Sequence, residues 1–266
     1  MFVSKSPSEE EEFLIRWFTP LYEAALCGHA TLVTSYILRT EKHIYSELLS
    51  NSKEIKFRAY GGVKLQVTFE QDENGKILPT MNFPLNTPVP LKATGELPQI
   101  AEIKSGIFGP EQADEGLVVD VQWSPSLTYL LLRAKDGFDI GQLKPNFSRL
   151  LEVATKREVS LVIVTGKSTN FSESGGVHFN VRVFAPWYGA NEDPVCGSAF
   201  TVSTPYWAKV LAAEEGGKGD SKNQTVFYAY HASKRSGIVR TELLPGGERM
   251  LIGGRVNKFC SGVMKV

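Results

Sequence analysis

The sequence predicts an α+β fold made of two similar domains, in each of which a mixed β-sheet or barrel surrounds one central helix. Three observations support this prediction. The chain contains an internal repeat, each copy holds one stretch that is apolar around most of a helical wheel, and hairpin signals follow each such stretch. A sheet that buries a single helix in this way is an α+β arrangement and not a doubly wound one.

The internal repeat is carried by three short matches that occur in the same order and at nearly the same spacing in both halves. The matched pairs are RWFTPLY (16–22) with RVFAPWY (182–188), CGHA (27–30) with CGSA (196–199), and FRAY (57–60) with FYAY (227–230). The repeat predicts an N-terminal repeat domain over 1–108 and a C-terminal repeat domain over 109–255. The first domain is expected to be incomplete and to be joined by the terminal strand 256–266.

In the first half, a strand over 13–19 is expected to end at Pro20, because proline cannot donate to a β-ladder. The apolar stretch 30–38 has no wide polar face and therefore predicts a buried helix. Glycine- and aspartate-rich turns then separate three predicted strands of a meander, near 54–60, 63–70 and 77–83.

The second half follows the same plan. A strand over 177–185 precedes the stretch 199–213, in which Pro205 is expected to kink the helix or to restart it. Three further strands are predicted near 224–230, 237–243 and 249–253. Before this plan begins, strand-like segments at 128–134 and 161–164 flank a helical segment at 145–155.

Composition excludes several classes of protein. The 266 residues contain 29 Lys+Arg and 29 Asp+Glu, so the chain lacks the basic excess that binding nucleic acid requires. No apolar run approaches the roughly 18–20 residues of a membrane span, and the N-terminus does not resemble a secretory signal. Three scattered cysteines are too few for a disulfide framework. We therefore expect a cytoplasmic protein with no nucleic-acid or membrane partner.

The two C-G-x-A turns are the candidate site. A helix N-terminus presents free backbone N–H groups and the positive end of the helix dipole, so it binds carboxylates well. Gly28 and Gly197 lack a Cβ and allow a ligand to approach the backbone. Two such turns that face each other across a cleft between domains would hold a small acid on the amides of 28–30 (Gly28 to Ala30) and 197–199 (Gly197 to Ala199).

Side chains beside these amides are candidates for proton transfer. Histidine has an unperturbed pKa near neutrality, so His29 can act as acid or base, or it can cap the helix. Asp193 can move a proton or form a turn before Pro194, and Ser198 can bind substrate or cap the helix. Lys234 and Arg235 can meet a substrate carboxylate, or they are solvated charges in a hairpin loop.

Cys27 and Cys196 form an alternative pair. A cysteine at a helix N-terminus has a lowered pKa, and two opposed thiols can move a proton between the faces of one carbon. Both can equally be small buried side chains, which is the usual role of free cysteine. The sequence shows no second pair of ligands at zinc spacing, no phosphate-binding loop, no dinucleotide fingerprint and no G-x-S-x-G elbow. We therefore expect neither a metal nor a cofactor.

Two signatures resemble those of the PhzF-like isomerases of phenazine biosynthesis. The first is R-W-F-T-P-x-x-E-x-x-L-C-G-H-A-T from Arg16 to Thr31. The second is E-D-P-V-C-G-S-A from Glu192 to Ala199, followed by P-Y-W-A-K-V-L from Pro205. The resemblance extends over nearly the whole chain, and diaminopimelate epimerases share the fold.

The resemblance implies two similar domains with the active site between them. It also implies a cofactor-independent isomerase that acts by proton transfer on a small carboxylic acid, as a homodimer. His29, Asp193 and Ser198 match the family's active-site histidine, aspartate and serine, and Gly28 and Gly197 match its turn glycines. In diaminopimelate epimerases the positions that correspond to Cys27 and Cys196 are the catalytic pair.

This chain departs from the family in one respect. Family members carry a strand, a G-N-P segment, a helix and an N-L-S-E-[ST] stretch before the strand that starts here at Met1, and the glutamate of that stretch is the family's principal acid/base. No residue of this chain matches it, because Glu23 corresponds to a different family position. We expect an incomplete gene model or a truncated member. Three functions stay open: the acid/base isomerase, a two-cysteine racemase, and a catalytically impaired binding protein.

Overall fold

A computed structural model describes most of the protein. The described residues are 1–7, 12–18, 23–24, 27–41, 52–72, 74–94, 97–111, 116–169, 176–214, 224–260 and 262. The chain folds into two compact units, which we call unit 1 (1–82 with 253–266) and unit 2 (83–252). The predicted repeat domains 1–108 and 109–255 describe a duplication of the sequence, and their boundaries stay a prediction.

Unit 1 contains one helix and a sheet of five strands in the order β1-β2-β4-β5-β6, among the residues that the structure describes, with β3 paired to β2. The elements are β1 (Phe2–Lys5), β2 (Glu12–Phe18), β3 (Glu23–Ala24), α1 (Gly28–Thr40), β4 (Glu54–Ala59), β5 (Lys64–Gln71) and β6 (Ile77–Pro84). The turn between β4 and β5 uses Gly61 and Gly62, whose φ angles are +87° and +85°. This left-handed backbone favours glycine, which explains the hairpin signal in the sequence.

In unit 2 the strand order is β15-β14-β13-β11-β10-β9-β8-β7, with β12 paired to β11. Its helices are α2 (Leu91–Thr94), α3 (Ile100–Phe108), α4 (Phe147–Val153) and α5 (Gly197–Glu214), with 3-10 turns at Ile140–Gln142 and Pro186–Tyr188. Its strands are β7 (Val89–Pro90), β8 (Val118–Ser124), β9 (Tyr129–Ala134), β10 (Leu161–Lys167), β11 (Phe179–Ala185), β12 (Ala190–Asp193), β13 (Val226–His231), β14 (Gly237–Leu243) and β15 (Arg249–Gly253).

Each unit repeats one topology. The strand before the long helix pairs in parallel with the strand after it, as β2 does with β4 and β11 with β13. A short strand leads into each helix and pairs antiparallel with the preceding strand, as β3 does with β2 and β12 with β11. The strand after each helix then pairs antiparallel with the next one. These features confirm the predicted α+β fold of two similar halves.

The centre of unit 2 explains why β10 reads as a continuous apolar run. Val162 and Val164 belong to the buried cluster that includes residues of α3 and α4. Thr165 points to the other face, because successive side chains of a strand alternate, and its hydroxyl accepts a hydrogen bond from Trp207 Nε1 of α5 at 2.7 Å. Helices therefore cover both faces of this strand, and both faces must be apolar or satisfied.

Helix α1 is less enclosed than the sequence predicts. Val33 is 42% exposed, and the buried positions are Thr31, Thr34, Ser35 and Leu38. The three hydroxyl groups each donate to a carbonyl four residues earlier in the chain, at 2.7–2.8 Å. Because their polar atoms are satisfied locally, these side chains tolerate burial, and the buried face of α1 is set by packing and not by hydropathy.

Helix α5 continues through Pro205 and does not restart there. Proline has no N–H, so the carbonyl of Thr201 loses its usual helical donor. The backbone N–H of Asn86 donates to that carbonyl at 3.0 Å, and the Asn86 side-chain amide donates to Thr201 Oγ1 at 3.1 Å. A loop from outside the helix therefore satisfies the group that proline leaves open.

The predicted terminal strand 256–266 is not formed over 256–260, where the chain has no regular secondary structure. Ion pairs join this end of the chain to other parts of unit 1 instead, from Arg255 to Asp72 at 2.8 Å and from Lys258 to Glu41 at 2.7 Å. The rest of that prediction, apart from Gly262, lies outside the described residues, as does Pro20 at the predicted end of the first strand. Among the described residues, no helix combines the length and the hydropathy of a membrane span.

Candidate functional site

The first C-G-x-A turn lies at the N-terminus of α1, as predicted. Cys27 is the N-cap residue, with extended φ and ψ of −144° and 98°, and its side chain does not cap the helix. No acidic residue occupies the first turn of α1. The amide end of the helix therefore keeps its positive dipole without a neutralising side chain, which is the arrangement that an anionic ligand needs.

The side chains of Cys27 and His29 meet in this turn. Cys27 Sγ lies 3.7 Å from both ring nitrogens of His29. His29 is exposed, whereas Cys27 is partly buried. Of these two side chains, the imidazole is therefore the one more open to solvent at this helix end.

The second turn links β12 to α5 in unit 2. Asp193 ends β12, and its Oδ1 accepts a hydrogen bond from the backbone N–H of Val195 at 3.0 Å. The structural role that the sequence offered for Asp193, a turn before Pro194, is therefore present. The turn itself uses only one carboxylate oxygen, so this role does not exclude a second one for the same side chain.

Gly197 begins α5 and faces open space. A Cβ at this position would have no heavy atom of the described residues within 4 Å, apart from the adjacent backbone of the helix, and the φ of Gly197 is not in the left-handed region. Neither packing nor backbone geometry within the described residues therefore requires glycine here. A side chain at position 197 would obstruct a ligand that binds the backbone amides in the first turn of α5, which would explain the glycine.

Ser198 connects two further groups in unit 2. Its Oγ lies 2.9 Å from the hydroxyl of Tyr129 and 3.4 Å from Cys196 Sγ. Burial raises the pKa of Tyr129, so the phenol stays protonated at neutral pH and orients the serine hydroxyl. Tyr129 was not singled out from the sequence, because it stands 69 residues away on β9 and no local motif marks it.

Cys196 is buried and poorly suited to act as a base. Burial, with a smaller contribution from the neighbouring charge of Asp193, raises the pKa of its thiol to about 12. The hydrogen bonds from Ser198 and from the Ala199 backbone lower the pKa, but burial outweighs them. The helix N-terminus therefore does not produce a thiolate at this position, contrary to what the alternative pair requires.

An arginine–glutamate ion pair joins the two strands that precede each turn. In unit 2, Arg182 on β11 donates two hydrogen bonds to Glu192 on β12, at 2.7 and 2.8 Å. In unit 1, Arg16 on β2 makes the same bidentate pair with Glu23 on β3, at 2.8 and 2.7 Å. Arg16 and Arg182 occupy equivalent positions of the repeat. Their glutamate partners were not predicted, because the number of residues between arginine and glutamate differs between the two halves.

Apart from Lys234 and Arg235, which lie in the loop between β13 and β14, each predicted site residue lies at or beside one of the two helix N-termini. Unit 1 holds Cys27, Gly28, His29 and Ala30, and unit 2 holds Asp193, Cys196, Gly197, Ser198 and Ala199. Each turn combines backbone amides with one group that can move a proton, His29 or Asp193, and the second adds a hydroxyl. Their catalytic roles stay predictions. The described part of the chain holds no group of three or more His, Cys, Asp or Glu side chains that could bind a metal ion.

His231, which the sequence left without a role, is a buried group near Arg182. It is fully buried, and neither ring nitrogen has a hydrogen-bond partner among the described residues. Burial, together with the smaller effect of the Arg182 charge, lowers its pKa to about 4. The folded protein therefore holds this imidazole in its neutral form.

This burial predicts a pH-dependent loss of stability. Above the unfolded pKa of about 6.5 both states hold neutral His231, whereas between pH 6.5 and pH 4 only the unfolded state binds a proton. The free energy of unfolding should fall by about 2 kcal/mol between about pH 7.5 and about pH 5. Urea denaturation across this range measures it, and His231→Phe should remove that part of the slope. An unchanged slope in the variant would assign the pH dependence to other groups.

Comparison with known proteins gives one consistent result. A family model for phenazine biosynthesis-like protein (PhzC-PhzF) matches residues 1–262. A phenazine biosynthesis-like domain-containing protein of Bos taurus is 34% identical over 248 residues, which cover 91% of this chain and 74% of that protein. An uncharacterized isomerase of Pseudomonas aeruginosa is 31% identical over 254 residues, covering 95% of this chain and 78% of that protein. A solved phenazine biosynthesis protein of the PhzF family from Enterococcus faecalis has a TM-score of 0.66 at 30% identity, covering 92% and 75% of the two chains.

Proposed function

This chain belongs to the phenazine biosynthesis-like (PhzC-PhzF) family, and from that premise we propose that it is an isomerase that moves a proton on a small carboxylic acid. Relatives of this chain include an uncharacterized isomerase. The observation that carries the proposal is the N-terminus of α5, where open space beside Gly197 adjoins Asp193 and Ser198. Amides, a hydroxyl and a carboxylate in one turn suit an acid whose adjacent carbon loses or gains a proton.

In the proposed mechanism Asp193 and His29 transfer the protons. The backbone amides of 28–30 and 197–199 hold the carboxylate and stabilise the negative charge that develops when the proton leaves. Ser198 donates a further hydrogen bond, and Tyr129 fixes its orientation. The proposal requires that both turns act on one substrate, in a cleft that the two domains share.

The two-cysteine alternative has weaker support. It needs a thiolate at Cys196, whereas burial raises the pKa of that thiol to about 12. The impaired binding protein remains an outcome of the experiments, because the family's principal glutamate has no match in this chain. We further propose a cytoplasmic homodimer that needs no cofactor and has neither nucleic acid nor membrane as a partner. The balanced charge and the family membership support these expectations.

Gly197→Ala tests the proposal at the ligand's expected position. Among the described residues, no atom outside the adjacent backbone of the helix lies within 4 Å of the added methyl group, so we expect the free energy of unfolding to stay the same or rise slightly. A ligand seated on the amides would be displaced by the methyl group, and catalysis should fall about a hundredfold. The measurement is solvent-deuterium incorporation into a panel of small carboxylic acids, followed by NMR.

Gly166→Ala is the matched control for this experiment. Gly166 lies on β10, away from the helix N-terminus. Its added methyl group would make an ordinary contact of 3.7 Å with Ile140. This control should keep full exchange and full stability. If Gly197→Ala also keeps full exchange, no ligand occupies the space beside α5, and the proposed carboxylate site is wrong.

A further inference from the structure

A second candidate binding surface lies beside the turn of Asp193, at the tip of the β13–β14 hairpin. A depression of about 390 Å³ is lined by Glu192, Pro194, Ser233, Lys234 and Arg235. Glu192 belongs to β12 and Pro194 to the turn between β12 and α5, and the other three come from the hairpin. The depression therefore joins the proposed catalytic turn to a pair of cations that the proposed mechanism does not use.

The hairpin tip is hydrogen-bonded to, and packs against, the turn between Asp193 and Gly197. Ser233 is buried, and its hydroxyl donates to the carbonyl of Pro194 at 2.7 Å. The same oxygen accepts a hydrogen bond from the backbone N–H of Ser236 at 3.1 Å, which closes the tip. A Cβ on Gly237 would lie 3.0 Å from Val195 Cγ2, so the hairpin also packs closely against the turn. The backbone that carries the two cations is thus fixed relative to the start of α5.

The charge of the depression is positive. Both oxygens of Glu192 are held by Arg182, at 2.7 and 2.8 Å, so an internal cation already balances that carboxylate. Lys234 and Arg235 are exposed, and neither has a hydrogen bond or an ion pair within the described part of the chain. Asp193 is the neighbouring acidic group, and one of its oxygens is engaged by Val195. The surface therefore favours an anion, and a guanidinium can bind a carboxylate or a phosphate through two parallel hydrogen bonds.

We propose that Lys234 and Arg235 bind a second anionic group of the substrate, a carboxylate or a phosphate. This inference rests on the proposed function, in which the amide ends of the helices hold the first carboxylate. The substrate class is then a small acid with two anionic groups. The hairpin selects it over acids that carry one such group, because only a second anion can bind the two cations of the hairpin.

Direct binding tests this inference without turnover. Dicarboxylates from malonate to adipate are titrated by calorimetry into the full chain, each beside the monocarboxylate with the same number of carbons. Phosphonocarboxylates of matching length show which anionic group is preferred. At least one dianion should bind about tenfold more tightly than its monoanionic partner. Lys234→Gln/Arg235→Gln should abolish that preference, and Lys144→Gln/Arg149→Gln, which removes two exposed cations elsewhere in unit 2, should retain it.

The outcomes separate this inference from the proposed function. If every dianion binds no better than its partner, or if the preference survives in Lys234→Gln/Arg235→Gln, the anion site is wrong even when exchange depends on Asp193. If the preference depends on the two cations but no acid exchanges its hydrogen, the anion site stands and the isomerase proposal fails. The Asp193→Asn variant should keep the preference, since the two cations lie outside the proton-transfer step.

Discussion

The Asp193→Asn variant is expected to lose about a hundredfold or more of the solvent-deuterium exchange that the proposed isomerase catalyses. An amide cannot accept or deliver the proton that the carboxylate transfers. The substitution keeps the turn, because asparagine Oδ1 can accept the hydrogen bond from the Val195 N–H that Asp193 accepts at 3.0 Å. The substitution should therefore lower activity without changing the free energy of unfolding.

The measurement is the rate of deuterium incorporation into the acid that wild-type protein exchanges fastest, followed by NMR. Urea denaturation of the same sample should give an unchanged free energy of unfolding. If Asp193→Asn exchanges at the wild-type rate, Asp193 is only a turn residue and the proposed mechanism is wrong.

A double variant separates the two catalytic alternatives. Cys27→Ala/Cys196→Ala should exchange at close to the wild-type rate, because burial keeps the Cys196 thiol protonated at neutral pH. Loss of exchange in this variant together with its retention in Asp193→Asn would favour the two-cysteine racemase. Loss of exchange in neither variant would assign proton transfer to other groups.

The Arg182→Met variant is expected to destabilise the protein by about 3–5 kcal/mol, which is the usual cost of removing one member of a buried ion pair. Arg182 is 7% exposed and binds Glu192 through two hydrogen bonds. It also donates to the carbonyls of Ile140 and Leu143, at 3.1 and 2.8 Å. Methionine fills similar space but leaves the Glu192 carboxylate without its cation and removes one hydrogen-bond donor from each carbonyl that Arg182 contacts.

The repeat supplies a matched control for this variant. Arg16→Met breaks the corresponding pair in unit 1, where the Arg16 side chain is 51% exposed and water can solvate the remaining Glu23. Its effect on stability should be much smaller than that of Arg182→Met. The hydrogen bonds from Arg16 lower the pKa of Glu23, so Arg16→Met should move that pKa back toward its ordinary value, which NMR titration measures.

The free energy of unfolding of each variant is obtained from urea denaturation at neutral pH. The double variant Arg182→Met/Glu192→Gln should recover part of the loss, because it removes the uncompensated charge. Equal losses for Arg182→Met and Arg16→Met would show that burial does not set the strength of these pairs.

The sequence predicted the regular elements of both halves closely. The three strands after α1 were expected near 54–60, 63–70 and 77–83, and they occur at Glu54–Ala59, Lys64–Gln71 and Ile77–Pro84. Hairpins are set by residues that are neighbours in the chain, so glycine pairs and alternating apolar residues suffice to locate them. The enclosure of α1 was overestimated, because its buried face consists of hydroxyl side chains that hydropathy does not recognise.

The turns of the candidate site were also predictable, and their surroundings were not. The motifs CGHA and CGSA placed both helix N-termini correctly. The proximity of Tyr129 to Ser198 depends on how α5 packs against β9, and no pattern in the chain encodes a contact across 69 residues. The high pKa of Cys196 was missed for the same reason, since burial is a property of the packed unit.

The sequence by itself determined the duplication, the order of strands and helices, and the chemistry available at two helix ends. These features follow from local backbone preferences and from the repetition of short motifs, which need no knowledge of distant contacts. The tertiary structure alone decided which groups are buried, which ion pairs lie out of water, and which cations beside the turn of Asp193 lack a partner among the described residues. The physical reason is that solvation and hydrogen bonding depend on every atom within a few ångströms, and in a folded chain most of those atoms come from remote segments.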